Sequence, residues 1–487
     1  MIHSILYFEE NCIKIFEKLE NDFLRNPKNF AEYVYGIVDE LYKLGKEMLK
    51  ESIETMNQML RDSLVRRKKW TAESHTTKTL TTLLGDITFQ KTLFQNKETK
   101  EYAYLLDHIL GLEPNQRLSE DAAAQMLKEA VQTSYQRGAK KTSLTSEVSR
   151  QTVKNKIHSL QFPPERPSGG CKKIVDYLYI DADEDHVALQ FCEKKGDIVK
   201  AENGVKNNGL LAKLVYIYEG KENEAFQSRR RVLINPHYFC SVNSREENHT
   251  FWDRVYDYIE QNYELSRVKK IYLNADGGSW IREGKRAGVC YVLDGFHLEK
   301  YLLKLVSYMK KEERAEALEE FHKTICGKTK ADFRKLAEKQ KEKMPKWRNQ
   351  RKIDEAADYI LSNWSAAKLR LKKREGVVGS STEGHVSIIL SERMSSRPMG
   401  WSREGAGKMA ELRAYYFNGG DMLELVRYQK KEAEKKIEKE EILSSTQITA
   451  SEKNRHEMLG KYVESISHSV SEQAKKIVYF NTHIWGI

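Results

Sequence analysis

The sequence predicts a mixed α/β protein whose α/β core is interrupted by an all-helical block and preceded by further helical regions. Short apolar and alternating segments between residues 174 and 293 predict strands. Residues 298–375 and residues 1–68 instead carry apolar side chains at three- and four-residue spacing, which predicts amphipathic helices. Hydrophobic residues make up 40% of the chain, which is enough for a packed core.

Composition narrows the partners and the compartment. The 487 residues suggest about three domains, and the net charge of +11 suggests a polyanionic partner, most often nucleic acid. The six cysteines are scattered without a C-x-x-C pair, which argues against a zinc knuckle and for reduced thiols. We find no secretory signal and no apolar run of membrane-spanning length. We therefore expect a cytoplasmic protein without a membrane partner, associated with the nucleoid when bound to DNA.

The first 160 residues divide into two predicted regions. Residues 1–68 form a helical arm, expected to pack or to mediate dimerisation. Residues 69–160 begin with a hairpin, because an apolar segment ending at Phe94 is followed by a polar turn at residues 96–100 and then by Tyr102. The hairpin precedes a helical, basic segment.

Residues 119–158 predict a helix-turn-helix. An Ala-rich helix, a turn near Gly138 and a second helix from Ser149 give this order, and residues 128–157 hold seven Lys and Arg against two Asp and Glu. In such motifs the start of the second helix enters the major groove. The predicted DNA-binding residues are Arg150, Gln151, Thr152 and Lys154. An ordinary basic helical hairpin is the alternative interpretation.

The linker at residues 162–170 is followed by the strand-rich core. Strands are predicted at 174–180, 186–191, 211–218, 231–233, 268–273 and 289–293, with a helix at 251–263. Several strands, then a helix, a strand and a helix is the order of a ribonuclease-H-like domain, although many other α/β folds begin in the same way. We assign residues 171–297 and 376–428 to two parts of this core, 298–375 to a helical insertion, and 429–487 to C-terminal helices.

The insertion is the most basic part of the chain. Residues 298–375 hold 22 Lys and Arg against 13 Asp and Glu, a balance of +9. We expect it to contact the DNA backbone, because lysine and arginine clusters bind phosphate without sequence preference. A solvated helical bundle without a ligand is the alternative.

Three acidic positions adjoin predicted strands or open a helix. Asp183 lies in an acidic block at the end of an apolar strand, Asp276 ends the next buried strand, and Glu383 opens a helix after the insertion. Carboxylates at strand ends lie at the rim of a sheet, where ligands usually bind. Converging carboxylates repel one another unless a cation neutralises them, and oxygen ligands suit Mg²⁺ or Mn²⁺. Asp181 has the same strand parity as Asp183 and is the alternative first ligand.

Asp294 and His297 form a further motif at the end of another strand, three residues apart. They are suited to orienting a phosphate or a flipped base. A polar cap on the following helix is the structural alternative.

The order of these motifs resembles a known group of enzymes. Asp183, Asp276, the block Asp294-Gly295-Phe296-His297, a helical insertion and Glu383 follow one another as in the Mutator-like group of DDE transposases. The segment from Ser381 to Trp401 resembles, more narrowly, the ISLre-type bacterial insertion-sequence transposases, long filed as a protein family of unknown function. The resemblance covers nearly the whole chain.

That resemblance implies a ribonuclease-H-like fold and metal-dependent cleavage and strand transfer of double-stranded DNA at terminal inverted repeats, with insertion into target DNA. It implies that Asp183, Asp276 and Glu383 bind two Mg²⁺ or Mn²⁺ ions and that Asp294 and His297 match the family's Cys-or-Asp, two residues, His motif. Arg393, Arg397 and Trp401, in the segment from Ser381 to Trp401, are the predicted DNA contacts. A homo-oligomer, at least a dimer on DNA, is expected.

Three alternatives remain open from the sequence. The first is a non-catalytic or domesticated DNA-binding protein. The second is a ribonuclease-H-like nuclease without strand transfer, and the third is a structural helical protein. The intact acidic positions argue against the first alternative, and the strand-rich centre argues against the third. Detection of strand-transfer products would distinguish a transposase from the second alternative, the nuclease.

Overall fold

The computed structural model describes residues 2–165, 170–190, 209–228, 230–242, 247–343, 350–372, 375–431, 453 and 457. The chain divides into two compact units. The first comprises residues 1–129, 136–150 and 429–487, and the second comprises residues 130–135 and 151–428. The boundary near residue 150 lies inside the predicted region 69–160. The predicted core, insertion and second core part all fall in the second unit.

The first unit begins with the predicted helical arm. Its elements are α1 (Ile2–Tyr7), a π-helical turn (Phe8–Cys12), α2 (Ile13–Arg25), a 3₁₀ turn (Pro27–Asn29), α3 (Phe30–Asp62) and α4 (Leu64–Lys69). α2 packs on α3, and α3 in turn packs on a strand that follows the arm, Gly85–Asn96. Phe23 stacks on Tyr33 with ring centroids 4.9 Å apart, which joins the two helices. The helical prediction for residues 1–68 is therefore correct.

A three-stranded antiparallel sheet follows the arm. It consists of β1 (Trp70–Thr82), β2 (Gly85–Asn96) and β3 (Tyr102–Ala103), in the order β1-β2-β3, and α5 (Leu105–Ile109) comes next. The β2–β3 hairpin matches the prediction. β1 is a strand that the sequence did not suggest, because its threonine-rich segment is mostly exposed and has little apolar alternation. A buried carboxylate, Asp107, pairs with Lys78 and Lys91 beneath this sheet.

The helix-turn-helix prediction is wrong in the position and the length of the turn. The helices are α6 (Glu120–Gln132), α7 (Tyr135–Lys140) and α8 (Arg150–His158). Gly138 is buried inside α7, and residues 141–149 connect α7 to α8. A helix-turn-helix joins its two helices by about 3–4 residues, so this longer connection does not fit the motif.

The second unit is built on a mixed five-stranded sheet. Its strands are β4 (Tyr177–Ala188), β5 (Gly209–Tyr218), β8 (His237–Val242), β9 (Lys270–Ala275) and β10 (Val289–Leu293), in the order β10-β9-β4-β5-β8. β4, β9 and β10 are parallel, whereas β5 is antiparallel to both β4 and β8. A separate hairpin, β6 (Gly220–Asn223) and β7 (Arg231–Ile234), follows β5. The chain thus has a mixed α/β fold, as predicted.

The pleat of β4 gives the sheet two different faces. Leu178, Ile180 and Ala182 are fully buried against α9 (Asn248–Asn262) and α10 (Ser279–Arg282), which form an apolar layer. The opposite face carries Tyr179, Asp181 and Asp183, because successive strand residues alternate between faces. On that face α18 (Arg403–Phe417) covers β5 and β8. One face of the sheet is therefore an ordinary core, and the other is polar and aromatic.

The insertion is helical, as expected. Its elements are α11 (Gly295–Leu305), α12 (Lys311–Gly327), α13 (Lys330–Glu342), α14 (Arg351–Ser362) and α15 (Trp364–Leu371). Their buried faces form one cluster that includes Phe321, Phe333 and Ile360, and α15 packs against the edge strand β10. The basic residues lie mainly on the exposed faces of these helices.

The chain then returns to the sheet. It forms α16 (Thr382–Val386), a π-helical turn (Ser387–Ser391), α17 (Glu392–Met394), α18 and α19 (Met422–Lys431). The C-terminal helices expected within 429–487 lie outside the described residues beyond α19, and so does part of the 162–170 linker. Among the described residues, no helix has the length and apolar character needed to cross a membrane.

Candidate active site

Three acidic residues lie at corresponding positions on three neighbouring parallel strands, where β9 and β10 end and β4 continues. Ala182 of β4 pairs with Ala275 of β9, which in turn pairs with Leu293 of β10. The next residues along the three strands are Asp183, Asp276 and Asp294. The backbone N–H of Asp294 donates to the carbonyl of Ala275 at 2.8 Å, which extends the parallel pairing to the acidic residues. The structure thus brings these predicted residues together.

Asp183 carries a perturbed carboxyl group. Burial raises its pKa to about 6, and the nearby negative charge of Asp276 acts in the same direction. The N–H of Glu184, which donates to Asp183 Oδ1 at 2.8 Å, and the charge of His297 act in the opposite direction. A half-buried carboxyl with a second carboxylate beside it is a place where a cation lowers the electrostatic energy.

Asp276 lies in a tightly constrained loop. Its Oδ1 accepts a hydrogen bond from the N–H of Gly278 at 2.8 Å, and its carbonyl accepts one from the Tyr359 hydroxyl of the insertion. Gly277 has a φ of +102°, and a Cβ there would lie 2.8 Å from Asn363 Nδ2. Only glycine fits such a conformation and such a close approach. The Asp-Gly-Gly motif therefore fixes the carboxylate to the sheet edge.

Asp294 and His297 form one hydrogen-bonded pair. Asp294 caps α11, and its Oδ2 accepts from the backbone N–H of His297 at 3.3 Å and lies 3.1 Å from His297 Nδ1. The hydrogen bond to Asp294 raises the pKa of His297, and the charges of Asp276 and Asp183 act in the same direction. Burial alone would raise the pKa of Asp294, but His297 and Arg370 hold it below its ordinary value. The two interpretations of this motif, a polar cap on the helix and a pair that orients a phosphate or a flipped base, are therefore compatible.

Asp181 is enclosed by protein donors. It has no exposed surface, and burial raises its pKa despite four hydrogen bonds. Those donors are the Tyr216 hydroxyl at 2.9 Å, the Tyr218 hydroxyl at 3.2 Å, Asn274 Nδ2 at 2.7 Å and the N–H of Ser381 at 3.3 Å. With both oxygens occupied, Asp181 is less suited than Asp183 to ligate a metal ion. Tyr216 and Tyr218 share the strand parity that places them on the same face of the sheet as Asp181, and this parity is the signal for these donors in the sequence.

The segment 375–381 is held against the polar face of the sheet. Tyr179 donates to the carbonyl of Gly376 at 2.8 Å, and Tyr272 donates to that of Glu375 at 2.9 Å. Lys221 Nζ donates to the carbonyl of Gly379 at 2.5 Å and to Ser381 Oγ at 3.2 Å. These contacts fix the point at which α16 begins.

Glu383 lies on α16, which packs against β4. Its side chain is exposed and, within the described part of the chain, forms no hydrogen bond or ion pair. Two residues on, His385 is packed under the aromatic layer, where burial lowers its pKa to about 4. In the described residues no three His, Cys, Asp or Glu side chains already stand close enough together to hold a metal ion. The helix of Glu383 thus packs against the strand that carries Asp183, but the Glu383 carboxylate does not form a cluster with Asp183 and Asp276.

The predicted DNA contacts at Arg393 and Trp401 need correction. Arg393 is 3% exposed, donates to the carbonyl of Ala130 at 3.0 Å, and has its guanidinium 4.9 Å from the centre of the Trp401 ring. Trp401 is also buried, and its Nε1 donates to the carbonyl of Met394 at 2.9 Å. Both residues serve packing, because neither has surface to offer to DNA. Arg397 is exposed.

We expect Arg393→Gln to destabilise the second unit by about 2–4 kcal/mol, because it leaves a buried carbonyl unpaired and empties a cation–aromatic contact. Arg397→Gln is the control and should change the free energy of unfolding by less than about 0.5 kcal/mol. Urea unfolding of both variants measures this. Equal stability of the two variants would contradict the packing role.

The other predicted DNA-binding residues lie in the first turns of α8. Arg150, Gln151 and Lys154 are exposed and Thr152 is half-buried. Gln151 donates to Asn155 Oδ1 at 2.7 Å along the helix. Their exposure permits contact with a partner.

With this geometry in place, comparison with known proteins defines the family. The model of an uncharacterised protein family, UPF0236, matches residues 23–432. The chain belongs to this family. A UPF0236 protein of Caldanaerobacter subterraneus subsp. tengcongensis is 36% identical over 428 residues, covering 87% of this chain and 86% of the relative. Another from the same organism is 34% identical over 429 residues, covering 87% of this chain and 85% of the relative.

Among solved structures, the Drosophila P element transposase strand transfer complex is similar over 76% of this chain and 90% of that chain. The sequence identity is 10% and the TM-score is 0.24.

Proposed function

We propose that this protein is a DNA transposase that cleaves and joins DNA strands with divalent metal ions held by Asp183, Asp276 and Glu383. The observation that carries the proposal is the position of Asp183 in β4 beside Asp276 at the carboxyl end of the parallel strand β9, with the Asp294–His297 pair directly after the next strand, β10. Such an edge is where open α/β sheets bind ligands.

The proposal includes a ribonuclease-H-like core. Three antiparallel strands, a helix and two further strands parallel to the first agree with the order expected from the sequence. The insertion begins after β10, and the chain returns to the sheet at α16. In a ribonuclease-H-like fold this return would place Glu383, the third carboxylate, beside β4. The contact between α16 and β4 is consistent with that return.

The donor set fits a hard divalent cation. Asp183 and Asp276 offer carboxylate oxygens, their mutual repulsion contributes to the raised pKa of Asp183, and oxygen ligands suit Mg²⁺ or Mn²⁺. Asp183, Asp276 and Glu383 would hold the ions, and Glu383 must turn from its exposed position toward the other two. Bound ions of this kind activate the attacking oxygen and stabilise the leaving oxygen of a phosphodiester.

The remaining residues of the edge have supporting tasks in this proposal. His297, whose pKa is raised by Asp294, supplies a positive charge or a hydrogen-bond donor to a phosphate oxygen. Asp181 and Lys221 hold segment 375–381 so that α16 begins beside β4. The basic insertion, with its balance of +9, supplies contacts to the DNA backbone. Arg150, Gln151, Thr152 and Lys154 remain the proposed contacts for recognition of the element's ends.

The direct test is an assay with DNA that carries the inverted repeats flanking the gene. We expect nicks at the repeat ends and joined products in a second DNA, both dependent on Mg²⁺ or Mn²⁺ and absent with a chelator. Cleavage without joined products would identify a nuclease. Specific binding of the repeats without any cleavage would identify a non-catalytic DNA-binding protein and reject the proposal.

A further inference from the structure

A cavity lies where the insertion packs against the edge of the sheet. It has a volume of about 580 Å³, within the ~300–1,000 Å³ range of small-ligand sites. Its walls come from β9, β10, α10 with the residues after it, and helices α13 to α15. Six cationic side chains line it: Lys270, Arg282, Lys285, Lys330, Lys368 and Lys372.

The positive charge of the cavity is not compensated within it. Its described lining contains no Asp or Glu, and none of the six cationic side chains forms an ion pair in the part of the chain that the structure describes. Elsewhere in the insertion cationic side chains do find carboxylates, as Lys341 does with Asp354 at 2.7 Å. Six like charges around one cavity repel one another, and an anion in the cavity relieves that repulsion.

Neutral polar groups accompany the charge. The Tyr291 hydroxyl is buried and makes no hydrogen bond of normal geometry in the described structure, although the Arg282 guanidinium is near enough to act on its pKa, which burial raises to about 12. Asn363 also lines the cavity and accepts a hydrogen bond from Arg282 Nη2 at 3.1 Å. The cavity therefore offers a neutral hydrogen-bond donor, the Tyr291 hydroxyl, as well as positive charge, and phosphate oxygens accept hydrogen bonds from both kinds of group.

The cavity is adjacent to the candidate active site. Asn363 lies against Gly277, immediately after Asp276, and the Tyr359 hydroxyl one turn earlier in α14 donates to the Asp276 carbonyl. A ligand held by Arg282 would thus be separated from the loop that positions Asp276 by a single side chain, that of Asn363.

We propose that this cavity binds a nucleotide through its phosphate groups. The nucleotide is either part of a DNA strand that leaves the acidic edge or a free nucleoside polyphosphate, since the same cations recognise both. The DNA source rests on the proposed function, whereas phosphate recognition by the cavity does not.

The test uses the full chain and two probes, a fluorescently labelled oligothymidylate and a fluorescent analogue of adenosine triphosphate. The variant Lys285→Gln/Lys372→Gln removes two exposed cavity charges. The control Lys311→Gln/Lys335→Gln makes the same charge change on exposed faces of the insertion outside the cavity. Both variants should match the wild type in thermal unfolding, because all four lysines are exposed.

We expect the cavity variant to weaken binding of at least one probe about tenfold or more relative to the control. A loss confined to oligothymidylate identifies a DNA strand as the source, and its salt dependence should flatten by about 0.7 in log-log slope per lost phosphate contact. A loss confined to the triphosphate analogue identifies a free nucleotide. Equal binding of both probes by the cavity and control variants overturns the proposal, whatever the outcome of the cleavage assay.

Discussion

Replacement of Asp276 by asparagine is expected to lower metal-dependent DNA cleavage on the order of 10³-fold or more, which corresponds to about 4 kcal/mol of transition-state stabilisation. Asparagine keeps the oxygen that accepts from the N–H of Gly278, so the loop should retain its conformation. It removes one of the two negative charges that meet at the sheet edge, and the affinity for Mg²⁺ should fall with it.

DNA affinity should persist in Asp276→Asn, because phosphate contacts by basic residues carry most of it. Asp257→Asn is the matched control: it makes the same charge change at an exposed position of α9 and should leave cleavage unchanged. Cleavage by product analysis and DNA binding by fluorescence anisotropy are measured on the same preparations. Full cleavage by Asp276→Asn would remove this residue from the metal site.

The second large effect concerns stability. Asp183→Asn should stabilise the metal-free protein by as much as about 3 kcal/mol at pH 7 and above, because each pKa unit corresponds to about 1.4 kcal/mol. The folded protein raises the pKa of this carboxyl from 3.8 to about 6, so its ionisation favours the unfolded chain. The wild type therefore loses stability relative to the variant between about pH 4 and pH 6, and the two should be equally stable below pH 4.

Thermal unfolding of both proteins across this pH range, in the presence of a chelator, measures the effect. Added Mg²⁺ should reverse the order at pH 8, since an ion that binds only the folded wild type stabilises it by mass action. If Asp183→Asn is less stable than the wild type at pH 8 without metal, the carboxylate at this position is not electrostatically strained.

Local sequence patterns predicted the elements that bury apolar side chains regularly. The helical arm, the β2–β3 hairpin, α9 and the insertion helices all agree with their predictions. β4 did not, because its acidic residues 181–185 were interpreted as the end of one strand and the start of another. In the structure they continue a single strand, since Tyr216, Tyr218 and Asn274 satisfy Asp181 inside the sheet.

The candidate site was only partly predictable for a related reason. Parallel pairing places Asp183, Asp276 and Asp294 at corresponding positions of neighbouring strands, and that follows from apolar strand segments that are each followed by an acid. Which aspartate is free to bind a metal depends on donors that come from β5, β9 and residue 381, and a single strand's pattern does not contain them. The same limit applies to Arg393, whose partner carbonyl lies 263 residues away in sequence.

Those long separations have a consequence for the protein as it leaves the ribosome. The carbonyls of Ala130 and Val131 receive their guanidinium partners from Arg393 and Arg413, and Asp181 receives its last donor from Ser381, 200 residues later. The sheet can pair once β10 has been synthesised, because all five of its strands then exist. A nascent or prematurely terminated chain that stops before residue 381 would therefore leave these buried groups without their partners, and the second unit completes its packing only when its last segment has been synthesised.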